Sequence, residues 1–262
     1  MHGSPDHANA APPAAPPLDS GLGAGRAWGV GGTLLWGVAI YAVIVAAQVL
    51  VALVVMAWWR PQDGTAAVGD GLTIALAVIA ACPPVLAVIA LAVRLARARF
   101  AHYLALGRFR TGDLFIGLAS IAVYLPVVGV LAYLLDHAVM PTFVMETYRS
   151  ARDSGALVLL IVAVGAVAPI TEEFAIRGFL YRGWAGSWLG VRATVVLTAV
   201  LWAAMHAQYD WFNLAEIFGV GVIFGWLRSR SGSTWLTVIL HGSYNMAALA
   251  QAAVMDRLGI AL

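Results

Sequence analysis

No lysine occurs in this chain, and charged residues of all kinds make up only 11% of its 262 positions. The net charge is +2, so the basic surface that nucleic-acid binding requires is missing, and no nucleic-acid partner is expected. Hydrophobic residues account for 62% of the chain, and the mean hydropathy is +0.87. These values exclude an ordinary soluble domain and are typical of polytopic membrane proteins, which contact membrane lipid.

Cysteine is also scarce, and the amino terminus lacks the features of a signal peptide. The single cysteine, Cys82, precedes two prolines in an apolar run; it excludes an intrachain disulfide and is interpreted as a buried, unreactive side chain. Residues 1–26 are rich in Pro, Ala and Gly, without a charged start or an apolar stretch. Because they can bury almost no apolar surface, residues 1–30 are predicted to form a disordered tail.

Apolar runs long enough to cross about 30 Å of hydrocarbon predict the fold. They cover about residues 33–59, 72–95, 114–135, from 156 onward, 193–206, 212–227 and 234–254. The expected fold is an all-α polytopic membrane protein with about seven transmembrane helices, or eight if residues 184–189 or 100–106 also enter the membrane. Residues 31–150 would hold amino-terminal helices and a short interfacial helix at 99–110, and residues 151–262 a second unit.

Arginine is concentrated in alternate connections between the predicted spans. The connections after spans two, four and six contain Arg94, Arg97, Arg99, Arg108, Arg110, Arg182, Arg192, Arg228 and Arg230. Arginine-rich connections stay in the cytoplasm, so the amino terminus is predicted inside and the carboxyl terminus outside. We expect the chain in the cytoplasmic (inner) membrane of a bacterium.

Two adjacent glutamates, Glu172 and Glu173, lie in the fourth apolar run. A carboxylate at the centre of a bilayer costs at least ~2.5 kcal/mol, so both need a physical reason. Arg177 follows Glu173 by four residues and shares its helical face, which predicts an ion pair. Glu172 points about 100° away, lacks that partner, and is therefore a candidate functional residue.

Three further polar residues lie in the last spans, namely His206, His241 and Asn245. The latter two are four residues apart and share a helix face. At about 1.5 Å per residue, Glu172 lies ~18 Å from the inner end of its helix, His206 ~22 Å, Asn245 ~17 Å and His241 ~11 Å. We therefore expect three helices to bring these side chains together.

This combination suits peptide hydrolysis in two ways. In the first, Glu172 and His206 hold and deprotonate a water molecule, while His241 and Asn245 donate hydrogen bonds to the oxyanion; one such donor is worth about 3 kcal/mol. In the second, Glu172, His206 and His241 bind Zn²⁺, which activates the water. The chain has no His-Glu-x-x-His motif, and its Ser-Gly-Ser (231–233) lies in a connection, which disfavours the familiar zinc and serine architectures.

The order of these residues resembles the CPBP intramembrane proteases. This family includes the type II CAAX prenyl endopeptidases and bacteriocin-processing or immunity proteins. Proteins similar to lysostaphin resistance protein A also belong to it. Its three motifs stand here as Glu172-Glu173-x-x-x-Arg177, Trp202-x-x-x-His206 and His241-x-x-x-Asn245. The resemblance covers about residues 156–249. The second motif normally begins with Phe, and we expect the Trp to alter packing rather than chemistry.

The resemblance implies a role for each motif residue. Glu172 would be the catalytic carboxylate, Glu173 with Arg177 a structural pair, His206 an aid to water activation, and His241 with Asn245 the oxyanion hole. Spans four to seven would form a four-helix catalytic core that cleaves a membrane-associated peptide or membrane-protein substrate. We expect a mechanism without a cofactor, with Zn²⁺ as the alternative. A prenylated CAAX protein is not the expected substrate in a bacterium.

Other interpretations of the polar residues remain open. The chain can be a non-enzymatic immunity or scaffold member of the family, with the polar groups serving as hydrogen bonds between helices. A proton-coupled transporter that uses Glu172 and the histidines as a relay is more distant, because the sequence has no internal repeat. Asp210, Asn213 and Glu216 are interpreted as a solvated turn, or alternatively as the rim of the outer mouth.

Overall fold

The computed structural model describes residues 27–59 and 69–259, and within these ranges the chain is helical without strands. The predicted disordered tail lies, up to residue 26, outside the described residues. The helices are α1 (Val30–Trp59), α2 (Gly71–Leu95), α3 (Phe100–Tyr103), α4 (Thr111–Leu134), α5 (Thr142–Asp153), α6 (Leu157–Ala185), α7 (Gly190–Ala204), α8 (Trp211–Ser231) and α9 (Thr234–Leu258).

Four helices, α1, α2, α4 and α6, are long and apolar enough to cross a membrane. Large apolar side chains on α1 and α4 are exposed, for example Leu35 and Phe115, as expected of surfaces that face lipid. Helices α8 and α9 have 21 and 25 residues and are therefore about 32 and 38 Å long. They correspond to predicted spans six and seven. The all-α integral membrane fold is confirmed; the number of spans and the orientation stay predictions.

The ends of the helices follow from local side-chain chemistry. Asp70 caps α2, because its carboxylate accepts a hydrogen bond from the Thr73 amide (2.9 Å). Asp210 caps α8 in the same way through the Phe212 and Asn213 amides. This cap explains why span six begins where it does, and it places Asp210 in the connection, as the sequence interpretation had it.

Two segments differ from the sequence-based expectation. The predicted interfacial helix at 99–110 is a single turn, α3, because Tyr103 and Leu104 are buried in the main apolar core, where the Tyr103 ring stacks on Phe179 at 5.4 Å. Helix α5 forms where a plain connection was expected. It packs on α2 and α9 and runs through residue 150, the predicted boundary between the two units.

Helix α6 is irregular on both sides of the glutamates. Two π-helical segments, Ala163–Val167 and Phe174–Leu180, flank a short α-helical stretch that contains Glu172 and Glu173. Pro169 stands near the start of that stretch and has no amide hydrogen with which to continue the helical ladder. Such π-helical insertions are frequent at functional sites, since they re-aim side chains and release backbone carbonyls.

Helix α9 approaches α6 closely at two glycines. A Cβ atom at position 242 would lie 2.5 Å from the Gly165 carbonyl oxygen, and one at position 165 would lie 2.9 Å from the Met246 sulfur. Position 242 therefore accepts only glycine unless the backbone moves. Because of this close contact, His241 and Asn245, which lie near Gly242 on α9, pack against the irregular part of α6.

Replacing Gly242 by Ala is expected to push α9 away from α6. We expect the thermal unfolding midpoint to fall by an amount that corresponds to about 1–3 kcal/mol, because the added methyl group meets backbone that cannot rotate away. The control is Gly112→Ala, where the methyl group would meet nothing within 4 Å. Equal unfolding midpoints for the two variants in the same detergent would contradict the close contact.

Candidate active site

The polar core of the molecule is an ion pair that carries a third partner. Glu173 and Arg177 are fully buried, and their Oε1 and Nη1 atoms are 2.8 Å apart, so the pair expected from the spacing is present. His241 Nδ1 also donates to Glu173 Oε1, at 3.0 Å. Because buried charges are costly unless they are paired and hydrogen-bonded, the three side chains stabilise one another.

Arg177 links three further parts of the bundle. Its Nη2 donates to the Gly221 carbonyl oxygen on α8 at 3.1 Å. Its guanidinium lies over the Trp202 ring of α7, 4.7 Å from the ring centroid, and 5.7 Å from that of Phe224. A guanidinium over an aromatic face is attracted by the ring quadrupole. The arginine of α6 therefore holds α7 and α8 in place around the glutamates.

Glu172, expected to lack a partner, accepts a hydrogen bond from Trp202. The indole Nε1–H donates to Glu172 Oε2 at 2.7 Å, which is short, as bonds to a carboxylate are. The expectation that Trp at this position changes only packing was therefore wrong. A phenylalanine has no N–H to donate, so here the aromatic residue of the second motif contacts the candidate catalytic carboxylate directly.

Trp202 also contacts His206, through its backbone carbonyl group. His206 Nδ1 lies 2.8 Å from the Trp202 carbonyl oxygen. A carbonyl can only accept, so Nδ1 carries the proton, and Nε2 of the neutral ring is left with a lone pair. His206 is thus held in the tautomer in which Nε2 can accept a hydrogen bond from water.

The two predicted oxyanion donors each have one N–H already engaged. His241 uses Nδ1 on Glu173, as described above. Asn245 Nδ2 donates to the Val164 carbonyl oxygen in the first π-helical segment, at 2.7 Å. An amide nitrogen has two hydrogens, so Asn245 keeps one for another acceptor. Because Nδ1–H is engaged, His241 can donate through Nε2 only when both ring nitrogens carry a hydrogen.

One cavity of about 500 Å³ brings the candidate residues together. Glu172, His206, His241 and Asn245 all line it, and they come from α6, the α7 end, and α9. The agreement in depth that the sequence predicted is therefore reflected in a shared cavity. Its volume is in the range of small-molecule binding sites.

The candidate zinc ligands do not form a metal-binding arrangement. Among residues 27–59 and 69–259, no group of three or more His, Cys, Asp and Glu side chains is close enough to hold a metal ion. Glu172 and His241 are instead engaged with Trp202 and Glu173. The side chains as arranged therefore do not fit Zn²⁺.

A second carboxylate lines the same cavity and was interpreted from the sequence as part of a solvated turn. Glu216 Oε1 accepts a hydrogen bond from the Tyr244 hydroxyl at 2.7 Å, and the Tyr124 hydroxyl donates to the Glu216 backbone carbonyl at 2.9 Å. Glu216 is one and a half turns inside α8, beyond the cap. The sign available in the sequence was that Glu216 falls inside the predicted span at residues 212–227.

A sequence model described as "Type II CAAX prenyl endopeptidase Rce1-like" matches residues 154–247. An "Uncharacterized 24.3 kDa protein" of Escherichia coli is 34% identical over 91 residues, which are 32% of this chain and 40% of that protein. The match therefore spans less than half of that relative. No solved structure matches the chain.

The matched segment runs from the end of α5 to the middle of α9 and contains all three motifs and the four candidate residues of the cavity. It coincides closely with the stretch over which the sequence resembled the CPBP proteases. Residues 154–247 are therefore similar to the type II CAAX prenyl endopeptidase Rce1-like family, which supports the resemblance that the motifs indicated.

Proposed function

We propose that this protein is an intramembrane endopeptidase that hydrolyses a peptide bond of a membrane-associated substrate without a metal. The Rce1-like family, whose model matches residues 154–247, is a protease family, which supports peptide hydrolysis as the reaction. The observation that carries the proposal is the cavity among the helices, lined by Glu172, His206, His241 and Asn245. We further propose a bacterial cytoplasmic membrane as its location and a peptide or membrane protein as its partner.

Glu172 is the general base in this proposal. Trp202 holds one carboxylate oxygen, Oε2, and Oε1 has no protein donor among the described residues. Oε1 can therefore accept a hydrogen bond from a water molecule, and His206 Nε2 can accept a hydrogen bond from the second hydrogen of the same water. Glu172 takes a proton from this water while the water oxygen forms a bond to the scissile carbonyl carbon. A general base of this kind is worth 10²–10⁴-fold in rate.

The oxyanion that forms is stabilised by α9. Asn245 donates its free amide hydrogen, and His241 donates Nε2–H as an imidazolium held by Glu173. As the intermediate collapses, the C–N bond breaks, and the proton on Glu172 passes to the leaving amine.

Substituting the two glutamates separates chemistry from stability. We expect Glu172→Gln to lower kcat at least 100-fold with little change in unfolding temperature, since the Gln carbonyl still accepts from Trp202. Glu173→Gln is expected to destabilise the protein by about 3–5 kcal/mol, because it leaves Arg177 buried without its charge partner. The measurements are cleavage of a membrane-peptide library by purified protein in lipid, and thermal unfolding.

A chelator arm completes this experiment. Cleavage that is indifferent to chelator supports the metal-free mechanism, whereas a loss that Zn²⁺ restores would replace it by the zinc alternative. Full activity of Glu172→Gln would overturn the role of Glu172. Absence of cleavage by folded wild-type protein across a broad library would favour the immunity or scaffold interpretation.

Trp202→Phe restores the residue usual in the family while removing the hydrogen bond to Glu172. A hydrogen bond to a charged group is worth about 1.5–3 kcal/mol, so we expect kcat to fall at least tenfold while KM stays near its wild-type value. Trp202→Ala is the comparison, since it also removes the ring under Arg177 and should lower the unfolding temperature. If kcat for Trp202→Phe equals that of the wild type, Trp202 does not position Glu172.

A further inference from the structure

Glu216 is fixed in the cavity more firmly than a solvated side chain would be. Tyr244, which lies between His241 and Asn245 on α9, donates to its carboxylate, and Tyr124 of α4 donates to its backbone carbonyl. Neither contact brings a positive charge. The side chain is half-buried, and its carboxylate has a neutral hydroxyl as its protein donor among the described residues.

Tyr209, in the connection between α7 and α8, lies within electrostatic reach of both cavity carboxylates. Burial raises the pKa of its hydroxyl, and the negative charges of Glu216 and Glu172 raise that pKa further. Tyr209 also lines the cavity. The two carboxylates therefore act on one region of space rather than on separate ends of the molecule.

The two carboxylates that line the cavity have no cationic partner. Glu172 and Glu216 make no ion pair among the described residues, whereas Glu173 is paired with Arg177. Among the described residues that line the cavity there is no arginine, and the chain has no lysine. Negative charge in a low-dielectric site is costly unless a partner neutralises it. A substrate that supplies a positive charge would provide this partner.

We infer that Glu216 is a specificity-determining residue that binds a cationic group of the substrate, namely an arginine or lysine side chain or a free amino group near the scissile bond. This inference rests on the proposed endopeptidase function. Tyr244 holds the carboxylate so that its second oxygen faces the incoming cation. A substrate carboxylate in this cavity meets two negative side chains and is disfavoured.

The test uses wild-type protein in phosphatidylcholine vesicles and a set of matched apolar peptides. Each peptide carries Arg, its neutral isostere citrulline, or Glu at one position, scanned through the four residues on either side of the cleaved bond. A second pair has a free or an acetylated amino terminus, which distinguishes a side chain from a terminal amine. We expect kcat/KM at one position to be at least tenfold higher for Arg than for citrulline, or for the free than for the acetylated terminus.

Substitutions of Glu216 test whether this residue causes the preference for a cationic group. Glu216→Gln is expected to bring the Arg-to-citrulline ratio to about one, and Glu216→Arg to reverse the order in favour of Glu. Tyr244→Phe, which keeps the carboxylate, is expected to keep a preference for Arg. Equal slowing of all peptides by Glu216→Gln, or a wild-type protein that does not discriminate, would overturn the inference.

A binding measurement separates this inference from the proposed function. The Glu172→Gln protein, with its base removed, is titrated with fluorescent Arg and citrulline peptides. Tenfold tighter binding of the Arg peptide, lost when Glu216→Gln is added, would support the cation site even if no peptide were cleaved. Equal binding of both peptides would overturn the cation site even if the wild-type protein cleaved them.

Discussion

The buried contact among Glu173, Arg177 and His241 is the interaction on which the rest of the site depends. It lies where α6, α7, α8 and α9 meet, and its members contact each of these helices through Trp202, Gly221 and His241 itself. Removing any of the three side chains would leave a buried charged or polar group without its partner, which is costly. The network therefore restrains the positions of the four helices relative to one another.

The position of Glu172 depends on this network. Adjacent residues of a helix point about 100° apart, so anchoring Glu173 in the core directs the preceding residue, Glu172, toward the cavity. Trp202 connects the two, because one face of its ring lies against Arg177 and its N–H donates to Glu172. Its buried neighbours therefore hold the candidate base through a hydrogen bond from Trp202 rather than through an ion pair.

The sequence predicted those features that depend on spacing along one helix or on composition. The Glu173–Arg177 pair follows from an i,i+4 separation, and the meeting of Glu172, His206 and Asn245 follows from similar depth in the membrane. Helix α5, the π-helical segments of α6 and the hydrogen bond from Trp202 could not be predicted, because each depends on contacts between segments distant in the chain. Glu216 lies within predicted span six, residues 212–227, and was misjudged because its polar neighbours Asp210 and Asn213 suggested a solvated turn.

The distinctive claim is that hydrolysis takes place inside the cavity, between Glu172 on one side and α9 on the other. The most direct measurement is a structure of the protein in lipid with a peptidyl ketone, whose hydrate imitates the tetrahedral intermediate. We expect one hydrate oxygen within hydrogen-bond distance of Glu172 and the other within hydrogen-bond distance of His241 Nε2 and Asn245 Nδ2. A hydrate bound outside this cavity, or held by a metal ion between Glu172 and the histidines, would contradict this mechanism.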